Sequence, residues 1–415
     1  MKKFLLRLLV LLSITFFITM AFTLFLESKY KGQFHSDKKV EIKIEKDKII
    51  PPIETSLVKA NYAFSKGYFL LNIALSIIFP IFIIKCGIIE IVENKFLKRN
   101  NYIREGIIIG VVYYLTSFII FFPLTFFSSF YRLKLVGLLN YDFFSWLLDL
   151  FKNEALNFVL TTLSVTILYY IFKRFKLWPL LVVIFTGFSV ILGTFIFPFV
   201  VDPLLNEITP MQNKELESKI KDLAHREGIN NISVYQVKMS DQTSALNAYM
   251  TGIFSSKRIV VWDTTLNNLD ESQILSVVAH EIGHYKLNHI PKGIALEFLL
   301  GALTYFPAYI LAFIIAKRNN REIKGPYGLA YILLISTLIG MVLNPVSLYY
   351  SRKVELDADK FAIQITKDNL TNGILELKFM ETNLSPYDVD EWYKLLRFDH
   401  PTAKERIDLA NSYDK

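Results

Sequence analysis

The sequence predicts a mainly α, polytopic membrane protein in which seven transmembrane helices carry a small α+β domain of zincin type. Three observations support this. The 415 residues are 53% hydrophobic, with 35 Phe and 22 Tyr, and the mean hydropathy is +0.36. Soluble chains of this length rarely average above zero, because their surface must be wet. Seven stretches reach the ~20 apolar residues that a spanning helix needs. Polar stretches interrupt them, and in one of these three of the six histidines fall within ten positions, at 280, 284 and 289.

The expected spans are Phe4–Leu26, Tyr68–Val92, Gly106–Phe127, Leu156–Phe172, Leu177–Val201, Gly293–Ala316 and Tyr327–Tyr350. They divide the chain into residues 1–203 (five spans with loops), 204–291 (first part of the catalytic domain), 292–350 (two spans) and 351–415 (second part). Lys2 and Lys3 resemble the start of a signal peptide. The apolar run that follows is long and lacks a small-x-small cleavage site, so a retained helix is expected. Pro80, Pro123, Pro198, Pro307 and Pro345 fall in or near spans, where neighbouring helices re-satisfy freed backbone groups. Asp37–Lys48 mixes Lys with acidic residues and is expected to be a solvated, mobile loop.

Asn213–Arg226 places Leu216, Ile220 and Leu223 on one helical face, with Gly228 as its stop. Ile232–Val237 alternates as a strand does, and Ala248–Phe254 with Arg258–Trp262 predicts a hairpin turning at Ser255-Ser256-Lys257. Asp270 caps a helix from Glu271 to about Asn288, with Gln273 at the capping-box position. The stretch Ser351–Lys415 is mostly helical by pattern.

The single cysteine, Cys86, excludes a disulfide framework and a Cys-rich metal site. The net charge of +8 lies in short clusters beside apolar runs, the pattern of topology determinants and not of a nucleic-acid face. The partners expected are the lipid bilayer and a peptide or membrane protein, with no nucleic acid.

The chemistry concentrates in His280-Glu281-Ile282-Gly283-His284. Residues four apart share a helical face, so His280 and His284 can present two imidazoles to one ion. Glu281, one step round, is placed to take a proton from a water, which is the mechanical content of an HExxH motif. Zinc suits such a site, one ion per chain, with a third protein ligand still required. Glu355 and Asp359, four apart, offer a ligand and a carboxylate for the other N–H of a ligating imidazole. The same run also fits a solvated acidic patch beside Arg352 and Lys353. His289 lies nine residues beyond His280, on another part of the helix face, and is left off the metal. His35 and His225 are expected at the surface. The spans hold few ionisable groups, chiefly Lys85, Glu90 and Glu297, which argues against a transporter.

These residues resemble the CAAX prenyl endopeptidase family of integral membrane zinc proteases. The likeness rests on His280 to His284, two apolar spans, then Ser351-Arg352-Lys353-Val354-Glu355-Leu356-Asp357-Ala358-Asp359. Asn247-Ala248-Tyr249, Gly252, Lys257-Arg258-Ile259-Val260, His400-Pro401 and Arg406-Ile407 extend it over nearly the whole chain. The resemblance implies Glu355 as third zinc ligand, Asp359 as its supporting carboxylate and Glu281 as catalytic base. It makes His400 or Arg406 the candidate oxyanion donor; Arg406 equally suits holding Glu355 in place, and Arg352 suits the same task or an interfacial anchor. Asn247, Ala248 and Tyr249 resemble an edge strand for an extended substrate. The implied substrate is a membrane-associated or prenylated peptide cut near its C-terminus, with membrane-protein turnover as the rival role.

Lys2, Lys3, Lys95, Lys98, Arg99, Arg104, the cluster at 173–176 and the cluster at 317–324 fall on one side of the membrane. The positive-inside rule makes that side cytoplasmic and places the catalytic side outside. The resemblance to eukaryotic members implies a cytosolic catalytic site instead. A multi-pass membrane protein is expected in either case, in the inner membrane of a bacterium or the endoplasmic reticulum of a eukaryote. The Lys-, Ile- and Phe-rich composition leans to a bacterium.

Overall fold

The computed structural model describes residues 1–34, 38–97, 101–251 and 257–413. His35, Lys98, Arg99, Gly252, the hairpin turn at Ser255-Ser256 and the side chain of Pro198 lie outside the described residues.

The chain is mainly helical, and the helices form a bundle. Among the described residues, six are long and apolar enough to cross a membrane: Lys2–Lys29, Ser56–Lys85, Tyr102–Leu135, Phe143–Arg174, His289–Arg318 and Pro326–Thr366. The remaining expected span is the shorter helix Trp178–Ile196, which passes into a π-helical turn. Side chains such as Leu6, Phe17 and Val342 are 64%, 60% and 76% exposed, as an outer face solvated by hydrocarbon requires.

The helices begin where caps allow. Thr55, Asn101 and Asp142 each accept from a backbone N–H in the first turn that follows. The second span ends earlier than expected, at Lys85, because Gly87 adopts a φ of +89° and starts a separate helix, Ile88–Phe96. The fourth helix starts at Phe143, not Leu156, since Asp149, Lys152, Asn153 and Glu154 lie in its first turns and hide it from a hydropathy window. The seventh span is one helix of 41 residues that runs through the boundary expected at 350/351 and ends at Thr366.

Small residues set the closest crossings. A Cβ on Gly106 or Gly110 would come within 2.8 or 2.9 Å of the Thr166 or Thr162 Cα on the facing helix, so glycine permits that approach. Ala308, Ala312 and Ala316, one helical turn apart, are fully buried. Thr23 Oγ1 and Tyr68 OH meet at 2.7 Å between the first two membrane helices.

The polar stretches form an α+β unit. Asn213 caps the helix Lys214–Arg226, and the Asp270–Gln273 capping box opens the helix Glu271–Lys286. The first loop departs from expectation. Its strands β1 (Ile44–Glu45) and β2 (Lys48–Ile49) form an antiparallel ribbon docked on the C-terminal helices. Ile49 is 1% exposed, and its backbone pairs with the Asn411 side chain at 2.8 and 2.9 Å. Val40 and Ile49, isolated among charged residues, bury against Leu377, Met380 and Ile407.

The larger sheet contains β3 (Ile208–Pro210), β4 (Ser233–Val237), β5 (Ala248–Thr251) and β6 (Arg258–Trp262) in the order β3-β4-β6-β5. β4 and β6 run parallel, and β5 lies antiparallel to β6 at the sheet's end. Ile259, Val261, Val278 and Ile282 belong to the shared core that presses the Glu271–Lys286 helix onto the sheet.

Candidate metal centre and active site

Three elements build the site: the helix Glu271–Lys286, the far end of the helix Pro326–Thr366, and the segment leading into the helix Ala403–Ser412. One ligand atom each from His280, His284 and Glu355 lies within 4.8 Å of the others. His280 Nε2 is 3.0 Å from His284 Nε2 and 3.2 Å from Glu355 Oε2. His284 Nε2 is 3.3 Å from Glu355 Oε1. A tetrahedral ion bonded at ~2.05 Å has ligand–ligand edges of about 3.3 Å. The triangle therefore fits a small divalent metal.

The outer ring nitrogens strengthen that fit. His280 Nδ1 lies 2.8 Å from Asp359 Oδ1, so Nδ1 carries the donated proton and Nε2 offers a lone pair. His284 Nδ1 lies 2.9 Å from His289 Nδ1; with His284 as donor there, its Nε2 is a lone pair too. With both rings neutral, two lone pairs would face each other at this range, which calls for a cation between them: a metal ion or, without one, a proton on His280. His289 is buried, not a surface neighbour of the motif. Asn288, at φ +56°, breaks the helix and turns His289 back towards His284, which continuous helical spacing from His280 does not anticipate.

Arg406 joins the carboxylates. Its Nη2 is 3.0 Å from Glu355 Oε2, its Nε 3.2 Å from Asp359 Oδ2, and its Nη1 2.9 Å from Glu376 Oε1. The guanidinium is thereby committed. This geometry suits the expectation of Arg406 holding Glu355 in place. Glu376 was missed by sequence reasoning; the signal available was a lone acid between Leu375 and Leu377. Burial pushes its carboxyl up even with Arg406 beside it.

The expectation for Arg352 is corrected. Its Nη1 donates to Lys394 O at 3.1 Å and Phe398 O at 2.6 Å, away from Glu355 and Asp359. Carbonyls at the C-terminal end of the helix Glu391–Arg397 sit at the negative end of its dipole, and they draw the cation.

His400 stands at the open side, with Nε2 3.5 Å from Glu355 Oε2 and Nδ1 3.0 Å from Asp399 Oδ1. The Asp399 contact, opposed by burial, holds its pKa above the ordinary value. Burial raises the Glu281 carboxyl, and the neighbouring His280 and His284 pull it down. Met250 N–H donates to Glu281 Oε2 at 3.3 Å, which ties the edge strand to that carboxylate. Trp262 N–H donates to Asn247 O, so in this antiparallel pair the backbone groups of Ala248 and Met250 point to the free edge. A cavity of about 710 Å³ joins His280, Glu281, Glu355, Ala248 and His400 to Tyr68 and Phe121 of the membrane helices.

The sequence model of the CAAX prenyl protease N-terminal region, five membrane helices, matches residues 54–207. That of Peptidase family M48 matches residues 210–413. The chain belongs to the CAAX prenyl endopeptidase family. The uncharacterized metalloprotease YhfN of Bacillus subtilis is 37% identical over 276 residues, covering 64% of this chain and 64% of that protein's length. CAAX prenyl protease 1 of Saccharomyces cerevisiae is 29% identical over 310 residues, 69% of this chain and 67% of that protein. The crystal structure of S. mikatae Ste24p matches with a TM-score of 0.74 and 21% identity, over 98% of this chain and 99% of that one. That last likeness is one of fold. Membership makes the chain a multi-pass membrane protein of a metalloprotease family, and a metal is implied for the His/Glu site.

Proposed function

We propose that this protein is an integral membrane zinc endopeptidase that hydrolyses membrane-associated, CAAX-type or otherwise lipid-modified peptides. The observation that carries the reading is the convergence of His280 Nε2, His284 Nε2 and Glu355 on one point beside Glu281. Its catalytic unit combines residues 204–291 and 351–415, and one zinc ion is held per chain by His280, His284 and Glu355. Asp359 orients His280, and Arg406 holds Glu355. Zinc, when bound, supplies Lewis acidity and brings the pKa of a water down to about 7.

The protein groups do the rest. The free edge of β5 at Ala248 pairs with an extended substrate, with Asn247 and Tyr249 flanking it, and sets which peptide bond faces Glu281. Glu281 takes the proton of the attacking water and delivers it to the leaving amine. His400, open to the cavity, donates to the oxygen on which charge develops. The cavity's continuation between membrane helices suits a substrate carrying a lipid group.

Glu281→Gln provides the test. Purified in detergent, this variant is expected to retain one zinc per chain and to lose peptide cleavage relative to wild type. Equal cleavage by both would refute the mechanism. A second role, turnover of membrane proteins, uses the same residues and is distinguished by supplying unprenylated membrane-protein substrates.

A further inference from the structure

Three arginines line the active-site cavity: Arg132, Arg397 and Arg406. Arg406 is ion-paired with Glu355, Asp359 and Glu376, and the charge of Arg397 is felt by Asp399. Arg132 differs. Its Nε donates to Ser128 O at 3.0 Å, and its Nη1 to Asn61 Oδ1 at 3.2 Å and Ser65 Oγ at 2.6 Å. All three acceptors are neutral. No carboxylate lies within ion-pair range of it among the described residues, and its Nη2 donates to none of them. A guanidinium half-buried in a cavity without a counter-charge is costly unless an anion enters.

The backbone aims it. Arg132 directly follows the π-helical stretch Phe126–Tyr131, and such a stretch re-aims the side chains that follow it, a device frequent at functional sites. Ser128, Ser65 and Asn61 then hold the guanidinium plane, with Asn61 in turn donating to Leu384 O at 3.2 Å. The cation is thus positioned on the membrane-helix wall of the cavity whose other wall holds the metal site.

We propose that Arg132 binds the free α-carboxylate at the C-terminus of a peptide substrate. This rests on the endopeptidase reading above and narrows its substrate class. A peptide that ends inside the cavity brings a terminal negative charge out of water, and a fixed pair of unused N–H groups on Nη2 is suited to receive it. The carboxylate thereby sets the register of the chain along β5 and selects substrates cut near their end.

The test uses two S-farnesylated CAAX-type peptides, identical except for a free acid or a carboxamide at the C-terminus. Wild-type protein in detergent is expected to prefer the free acid by roughly tenfold or more in kcat/KM, mostly through KM. Arg132→Gln is expected to bring the free acid down to about the level of the amide, with a much smaller loss on the amide. Arg132→Lys is expected to keep part of the preference. Equal cleavage of both peptides by wild type overturns the assignment. So does a proportional loss on both peptides in Arg132→Gln, which is the mark of a helix-bracing role alone. Cleavage of neither peptide by wild type overturns the endopeptidase reading itself, and this assignment with it.

Discussion

Asp359 Oδ1 lies 2.8 Å from His280 Nδ1 although the two residues are 79 positions apart. The contact fixes the imidazole tautomer that presents Nε2 to a metal. His289 makes the equivalent contact to His284 at 2.9 Å. Asp359→Asn and His289→Leu are each expected to weaken zinc affinity by about 10–100-fold. The carboxylate variant is expected to be the weaker binder, since a charged partner raises ligand basicity more. Chelator competition followed by metal analysis measures both; unchanged affinity in either removes its residue from the site.

Arg406 is 8% exposed and serves three carboxylates. Arg406→Met leaves them buried without their common counter-charge and is expected to cost about 3–5 kcal/mol of stability. Glu376→Gln added to that variant is expected to restore part of the loss, because one uncompensated charge goes. Thermal unfolding in detergent of the single and double variants checks the coupling.

Burial opposes charging of His280, but the Asp359 hydrogen bond and the charges of Asp359 and Glu355 override it and raise its pKa to about 10 in the metal-free site. A raised pKa means that the empty site holds this proton at neutral pH, whereas a ligating imidazole must be neutral. Metal uptake near pH 7 is therefore expected to release about one proton from His280, and affinity is expected to rise with pH up to about 10. Calorimetry in buffers of different ionisation enthalpy counts the protons. A release near zero would contradict the charged-histidine state.

The cationic loops gather at the bundle end away from the metal site. Arg7 Nη1 donates to Lys85 O at 2.9 Å, Lys324 Nζ to Phe175 O at 3.4 Å, and Arg321 faces Glu90 at 3.7 Å. By the positive-inside rule that end is expected to be cytoplasmic. In a bacterial host, a fluorescent-protein fusion at Asn320 is expected to fluoresce, and an alkaline-phosphatase fusion at Lys415 to be active. The reverse pattern would favour a catalytic site facing the cytosol, as the family resemblance implies.

Much of this site was legible as local spacing. His280 and His284 share a face because both lie within one capped helix, and Asp270 with Gln273 declares where that helix begins. The seven apolar stretches follow from hydropathy alone, and the strand that starts at Ala248 from the hairpin pattern. Glu355 and Asp359 needed the family resemblance, since spacing equally suits a solvated patch.

By itself the sequence determined the properties that repeat along one element: which stretches enter lipid, which helix carries two imidazoles, and where the carboxylate of Glu281 sits beside them. Tertiary structure alone decided what closes between distant elements. It sent Arg352 to the carbonyls of Lys394 and Phe398, gathered Glu355, Asp359 and Glu376 around Arg406, and turned His289 back through the break at Asn288. It also docked Ile49 on the C-terminal helices and left Arg132 facing the cavity without a carboxylate partner among the described residues. The physical reason is range. Helical periodicity is written in residues three and four apart, whereas the partner of a buried charge is set by which surfaces pack together.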